Sequence, residues 1–194
     1  EEVEKINDNQ PITFFEILTA CYFYKAAQYP NNINLIESGL FFRFDATNIL
    51  KKNLASIVTS ISKDHLDWLP KNDQTIERIV FEKTSSLLNS TIIIANQNNK
   101  GTMDCIKKTI AKNPSNKIYF NEDFSYSKGE NDFFYFEDNL GGIKLPSPNV
   151  LGQYQLENIS TAIATLRTLN LVINDDHIKK GIQKINNTAR LQEI

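Results

Sequence analysis

Three short runs that read as strands, LASIVTSI at 54–61, rich in β-branched residues, TIIIA at 91–95 and KIYF at 117–120, are each separated from the next by a helical stretch. Between the first two, TIERIVFEKTSSLL puts Ile76, Ile79, Val80 and Leu87 at helical spacing. Residues 101–113 read as a helix between the second and third. Strands joined through helices cannot form tight hairpins; the crossovers lead to parallel pairing, with helices covering the faces. This pattern is the strongest constraint on the fold.

The rest of the chain adds to that frame. In PITFFE, Thr13 suits an N-cap and Glu16 lies three residues on, a capping box. Phe14, Ile17, Leu18, Cys21 and Tyr24 follow at helical spacing, and the helix should fade near Pro30. Residues 33–36 are expected to form a further short strand that ends at Glu37. Residues 132–137 and 143–145 flank Asn139-Leu140-Gly141-Gly142, which predicts a hairpin. Leu156, Ile159, Ile163 and Leu166 mark one more helix, and residues 175–185 a last one. The expected fold class is α/β: a mainly parallel sheet flanked by helices, with a small antiparallel hairpin.

At 194 residues and 41% hydrophobic, the chain can bury a sizeable core as one large domain. A net charge of −2 and the lack of a basic stripe argue against a nucleic-acid partner. Cys21 and Cys105 have no CxxC spacing and read as reduced thiols, which suits a cytoplasmic setting. No run reaches membrane-span length, and EEVEKINDNQ lacks the apolar stretch of a signal peptide. Because it opens on Glu1 and closes on RLQEI, the chain is expected to be part of a longer polypeptide.

Ligands of open parallel sheets bind outside the carboxyl ends of the strands. Glu37 and His65 fall there in the expected topology. A carboxylate and an imidazole can hold a divalent cation, with water and phosphate oxygens completing its shell. The same two residues also read as a solvated turn carboxylate and an ordinary loop histidine. Lys83 lies seven residues after Ile76 and four after Ile79, on the inward stripe of its helix. There it must snorkel, pair, shift its pKa or be modified. Asn158, after GQYQLE, either bonds a planar base or acts locally at a helix start. Arg190 either pairs with phosphate or is simply solvated.

Six blocks in order resemble the folylpolyglutamate synthase/dihydrofolate synthase family of the Mur ligase superfamily. ESGLFFRFDATN is similar to ExGLGGRLDATN, PITFFEILTA to PLTxFExLTA, and SIVTSISKDHLDWL to SxITxIGxDHxxxLG. TIERIVFEKTSSL is similar to TxxxIAxEKAGI, GQYQLENISTAIAT to GxHQxxNAxxAxxA, and NTARLQEI to the PGRLExI segment. The resemblance implies an ATP-dependent ligase. ATP would phosphorylate the carboxylate of dihydropteroate or folate, and L-glutamate would attack the acyl phosphate. It further implies Mg2+ held by Glu37 and His65, and a Lys83 that is carbamylated and supports the metal–phosphate cluster. Asn158 would contact adenine and Arg190 an ATP phosphate, while Arg43 and Asp45 would lie on a loop beside the substrate. The family also implies a monomer with small-molecule substrates.

Phe41-Phe42 stand where the family pattern has Gly-Gly, Tyr154 where it has His, and Thr188-Ala189 where it has Pro-Gly. No phosphate loop of the Gly-x-x-x-x-Gly-Lys-Ser/Thr type occurs in the chain. The 194 residues are therefore expected to be most of a central ATPase-type domain, with the phosphate loop before them and the C-terminal glutamate-binding domain after them. Alone they are expected to lack ligase activity. Two alternatives stay open: a degenerate, non-catalytic relative that keeps the fold, and another Mur-type amino-acid ligase. The TxFExLTA and LDATN blocks point away from the latter.

Overall fold

Ile92, Ile93 and Ile94 are fully buried, as an apolar run covered on both faces must be. They belong to the central strand of the sheet in a computed structural model, which describes residues 2–130, 132–150 and 152–186. The described elements are α1 (Glu2–Asn7), α2 (Phe14–Ala26), β1 (Ala55–Val58), α3 (Ile76–Thr84), β2 (Thr91–Ile94) and α4 (Lys100–Thr109). They continue with β3 (Lys117–Tyr119), β4 (Phe124–Lys128), β5 (Phe133–Asp138), β6 (Gly141–Pro146), α5 (Gln153–Thr168) and α6 (Asp175–Gln183).

β1, β2 and β3 pair in parallel in that order, with Val58 opposite Ile94 and Ile94 opposite Tyr119. Successive side chains of a strand point to opposite faces. Ile92 and Ile94 accordingly pack with Ile79 and Val80 of α3 and with Ile106 and Ile110 at α4. Ile93 points the other way, into a second core with Phe134 and Phe136 of β5, Ile159 and Ile163 of α5, and Ile178 and Ile182 of α6.

The antiparallel part is larger than a hairpin. β4, β5 and β6 form a separate three-stranded sheet, joined by an Asn139-Leu140 turn after which Gly141 takes φ +103°. β4 was not anticipated in the sequence because FSYSK is short and half polar. On β5, Phe134 and Phe136 are fully buried while Phe133 and Tyr135 face outward.

The strand expected at residues 33–36 does not form. That stretch has no strand assignment, and Ile33 and Leu35 are exposed. A short, mostly apolar tetrapeptide without a partner strand cannot satisfy its backbone groups by pairing. The expected capping box does form: Thr13 Oγ1 accepts from the Glu16 N–H at 3.2 Å, and the Glu16 carboxylate accepts from the Thr13 N–H at 2.8 Å. α2 nevertheless buries only Thr19 among the described residues, leaving Phe14, Phe15 and Leu18 exposed. The helices at 76–84, 100–109, 153–168 and 175–183 stand close to their expected places.

Candidate active site

The polar residues of ESGLFFRFDATN fold that stretch upon itself and fasten it to α3. Asp45 is the internal staple. Its Oδ2 accepts from the Gly39 N–H at 2.8 Å, and its Oδ1 accepts from the Thr47 N–H at 2.8 Å and the Thr47 hydroxyl at 2.5 Å. A Cβ on residue 39 would lie 2.9 Å from Asp45 Oδ2, so a larger residue there would push this carboxylate aside. Asn48 Nδ2 donates to the Arg43 carbonyl at 3.1 Å and to Ser86 Oγ, just beyond α3, at 3.0 Å.

Glu82 fastens the loop from the other side. Its backbone carbonyl accepts from the Phe42 and Arg43 N–H groups at 3.2 and 3.0 Å. Its buried carboxylate takes a two-pronged contact from Arg43, Nε to Oε2 at 2.7 Å and Nη2 to Oε1 at 2.8 Å. Arg78, one helical turn earlier, reaches Oε1 at 2.6 Å and Asp73 at 3.2 Å. The Arg43 hydrogen bonds hold the Glu82 carboxyl below the ordinary carboxylate range, against the opposing effect of burial.

Lys83 sits half-buried beside this cluster. Its Nζ donates to the Leu40 carbonyl at 2.8 Å and lies 5.7 Å from the centroid of the Phe41 ring. Burial lowers its pKa below the usual lysine value, and the charge of Asp64 partly opposes that shift. The Phe41 ring also meets the His65 ring edge-on, with centroids 6.4 Å apart. His65 holds the left-handed conformation at φ +57°, and its N–H donates to Asp64 Oδ1 at 2.8 Å. The structure thus brings His65 and Lys83 together on opposite dealings with one ring.

Glu37 is exposed, in the extended stretch three residues before Leu40. Chain geometry keeps it within about 11 Å of Leu40, measured between Cα atoms. Among the described residues no three His, Cys, Asp or Glu side chains are grouped to hold a metal ion. Glu37 and His65 would supply two donors at most, so a cation here would take most of its shell from water and ligand oxygens. That donor chemistry suits Mg2+, which dehydrates reluctantly.

Phe15, Leu40, Phe41 and Phe44 wall a pocket of about 400 Å³, with Asp45 and Glu82 at its border. Its size and walls suit a flat aromatic molecule. Close to the carboxyl end of β2, Asn96 Nδ2 donates to Glu157 Oε1 on the first turns of α5 at 3.1 Å. Asn158 follows on the same helix and is exposed. Gln97 bolts the strand ends together: its Oε1 accepts from the Ile61 N–H at 2.9 Å, and its Nε2 donates to the Thr59 and Ala95 carbonyls. Arg190 lies outside the described residues, as do Thr188 and Ala189.

Sequence reasoning missed Glu82, Arg78 and the pocket. The Arg78–Glu82 pair was readable from its i, i+4 spacing on a helix. The Arg43–Glu82 contact spans 39 residues and left no local signal.

No family model matches the chain. Among curated proteins it is 30% identical to the dihydrofolate synthase/folylpolyglutamate synthase of Escherichia coli, over all of this chain and 43% of that one. It is also 30% identical to the protein of the same name from Buchnera aphidicola of Schizaphis graminum, over 96% of this chain and 42% of that one. Among solved structures, E. coli FolC in complex with DHPP and ADP superposes with a TM-score of 0.80 at 30% identity, covering 100% of this chain and 44% of that one. The apo form of L. casei FPGS matches in fold, with a TM-score of 0.81 at 23% identity, over 100% of this chain and 48% of that one. The chain spans less than half the length of the curated relatives named here. Over that span sequence and fold agree, and the chain is similar to dihydrofolate synthase/folylpolyglutamate synthases.

Proposed function

We propose that these residues form most of the central, ATP-handling domain of a ligase that joins L-glutamate to dihydropteroate or folate. The phosphate loop and the glutamate-binding domain lie outside them in this reading. The observation that carries it is the meeting of Lys83 and His65 on Phe41, next to an aromatic-walled pocket. The protein is a cytoplasmic monomer, and its partners are small molecules.

The reaction has two steps. A carboxylate oxygen of the pterin-bearing substrate attacks the γ-phosphorus of ATP, and ADP leaves with the bridging oxygen. The amine of glutamate then attacks the acyl phosphate, expels phosphate and loses a proton. The aromatic pocket orients the flat ring and excludes water from the activated carboxyl. Asn158 contacts the adenine, Arg190 a phosphate, and the loop carrying Arg43 and Asp45 borders the substrate. Glu37 and His65 would hold Mg2+, which supplies charge neutralisation to the transferring phosphoryl group. Lys83, on this reading, is carbamylated in the working enzyme.

Replacing Lys83 by Met in the full-length protein should reduce glutamate-dependent phosphate release by about a hundredfold or more. Unchanged turnover returns the lysine to a packing role, and failure of the full-length protein to bind magnesium-ATP in a calorimeter overturns the ligase reading. A second reading, a non-catalytic relative, is favoured by one observation: the Lys83 amine is already engaged by the Leu40 carbonyl beneath the Phe41 ring. Magnesium-ATP binding without turnover would select it.

A further inference from the structure

We infer that Glu82 is a positioning residue whose contact with Arg43 holds the wall of the aromatic pocket in place. The inference rests on the proposal that this pocket receives the pterin end of the substrate.

The Arg43 guanidinium lies 4.1 Å from the centroid of the Phe44 ring and 5.3 Å from that of Phe81. It is therefore held between two rings and pinned by the Glu82 carboxylate at 2.7 and 2.8 Å. Phe44 is 82% exposed, so packing alone does not fix it, and the guanidinium lies against its ring. The Glu82 backbone carbonyl holds the loop at the same level by accepting from Phe42 and Arg43. One residue of α3 thus fixes two pocket walls, Phe41 through the main chain and Phe44 through Arg43. The next residue, Lys83, donates from its Nζ to the Leu40 carbonyl of that same loop. Pairing occupies the Arg43 and Glu82 charges alike, and Asp45 is engaged by Gly39 and Thr47, so the polar residues at the pocket border are spent on holding its walls. Removing one partner of a buried, hydrogen-bonded charge pair leaves the other uncompensated.

The test compares wild type, Glu82→Gln, the milder Arg43→Lys and the remote control Arg167→Gln by two measurements. Amide hydrogen exchange reads the loop at 40–45 directly, and quenching of pterin fluorescence reads the binding of pteroic acid. Both Glu82→Gln and Arg43→Lys should lose loop protection while β2 stays protected, and should weaken pteroic acid binding about tenfold. Arg167→Gln should lower global stability without either change. Protection of 40–45 that is unaltered in both loop variants overturns the inference, as does pteroic acid affinity within about twofold of wild type. If wild type itself fails to bind pteroic acid, the pterin assignment falls, and the exchange measurement still decides whether Glu82 orders the wall.

Discussion

At the level of single residues, burial sets the chemistry of α3. Glu82 is 5% exposed and shares its carboxylate between two guanidinium groups. Its folded carboxyl ionises below the ordinary 4.5, so on the acid side the unfolded chain takes up the extra proton. Stability from this pair is fully present above the ordinary value and is lost as pH falls through the folded one. The gap in urea midpoint between wild type and Glu82→Gln should be full at about pH 6 and should shrink below about pH 4.5. A gap that stays constant down to about pH 3 would show that the charge is irrelevant. The residue scale is also where reading the sequence reached least far. Lys83 was found from its helical stripe, because burial and periodicity are local properties. The partners of Glu82 and Asp45 depend on how a loop lies on a helix, which periodicity does not encode. Polar letters that suggested ligand contacts, Arg43 and Asp45, have their hydrogen bonds within the loop and α3.

Elements were more legible where a pattern carries its own geometry. The three parallel strands and their crossover helices follow from apolar runs alternating with helical spacing, and the Thr13 capping box from four letters. Residues 33–36 failed because strand propensity needs a partner strand, and none pairs with them among the described residues. β4 was overlooked because its edge position tolerates polar side chains. Beside the core they share, α5 and the antiparallel sheet are joined by one largely buried ion pair. Arg167 Nε and Nη2 donate to the two oxygens of Asp138 at 2.8 and 2.9 Å, and Nη2 also reaches the Gly141 carbonyl at 3.2 Å. Their side chains are 15% and 11% exposed. Arg167→Gln should cost about 3 kcal/mol in urea denaturation, because Asp138 is left uncompensated. A loss below about 0.5 kcal/mol would place the pair in the class of surface ion pairs. Gly152, at φ +104°, enters α5 with the Tyr154 ring folded over it, and a Cβ there would fall 2.3 Å from that ring.

For the molecule as a whole, β2 is the hinge of the argument, since Ile92 and Ile94 serve one core and Ile93 the other. Cores that share a strand should melt together. Trp68, the sole tryptophan, stands beside the site at 72% exposure and reports its environment without a label. Its fluorescence and the far-ultraviolet circular dichroism should give coincident urea transitions. Separated midpoints would mean that the antiparallel sheet and the parallel sheet unfold independently. β1, by contrast, pairs on one side only among the described strands, and Leu54 and Ile57 beside that open rail are exposed. Lys51, Lys52 and Lys63 flank the strand in sequence, charges of the kind that discourage edge pairing. A purified sample therefore carries both a template for illicit strand addition and the charges that discourage it. Raising the salt concentration screens those charges and should bring the chain closer to clumping.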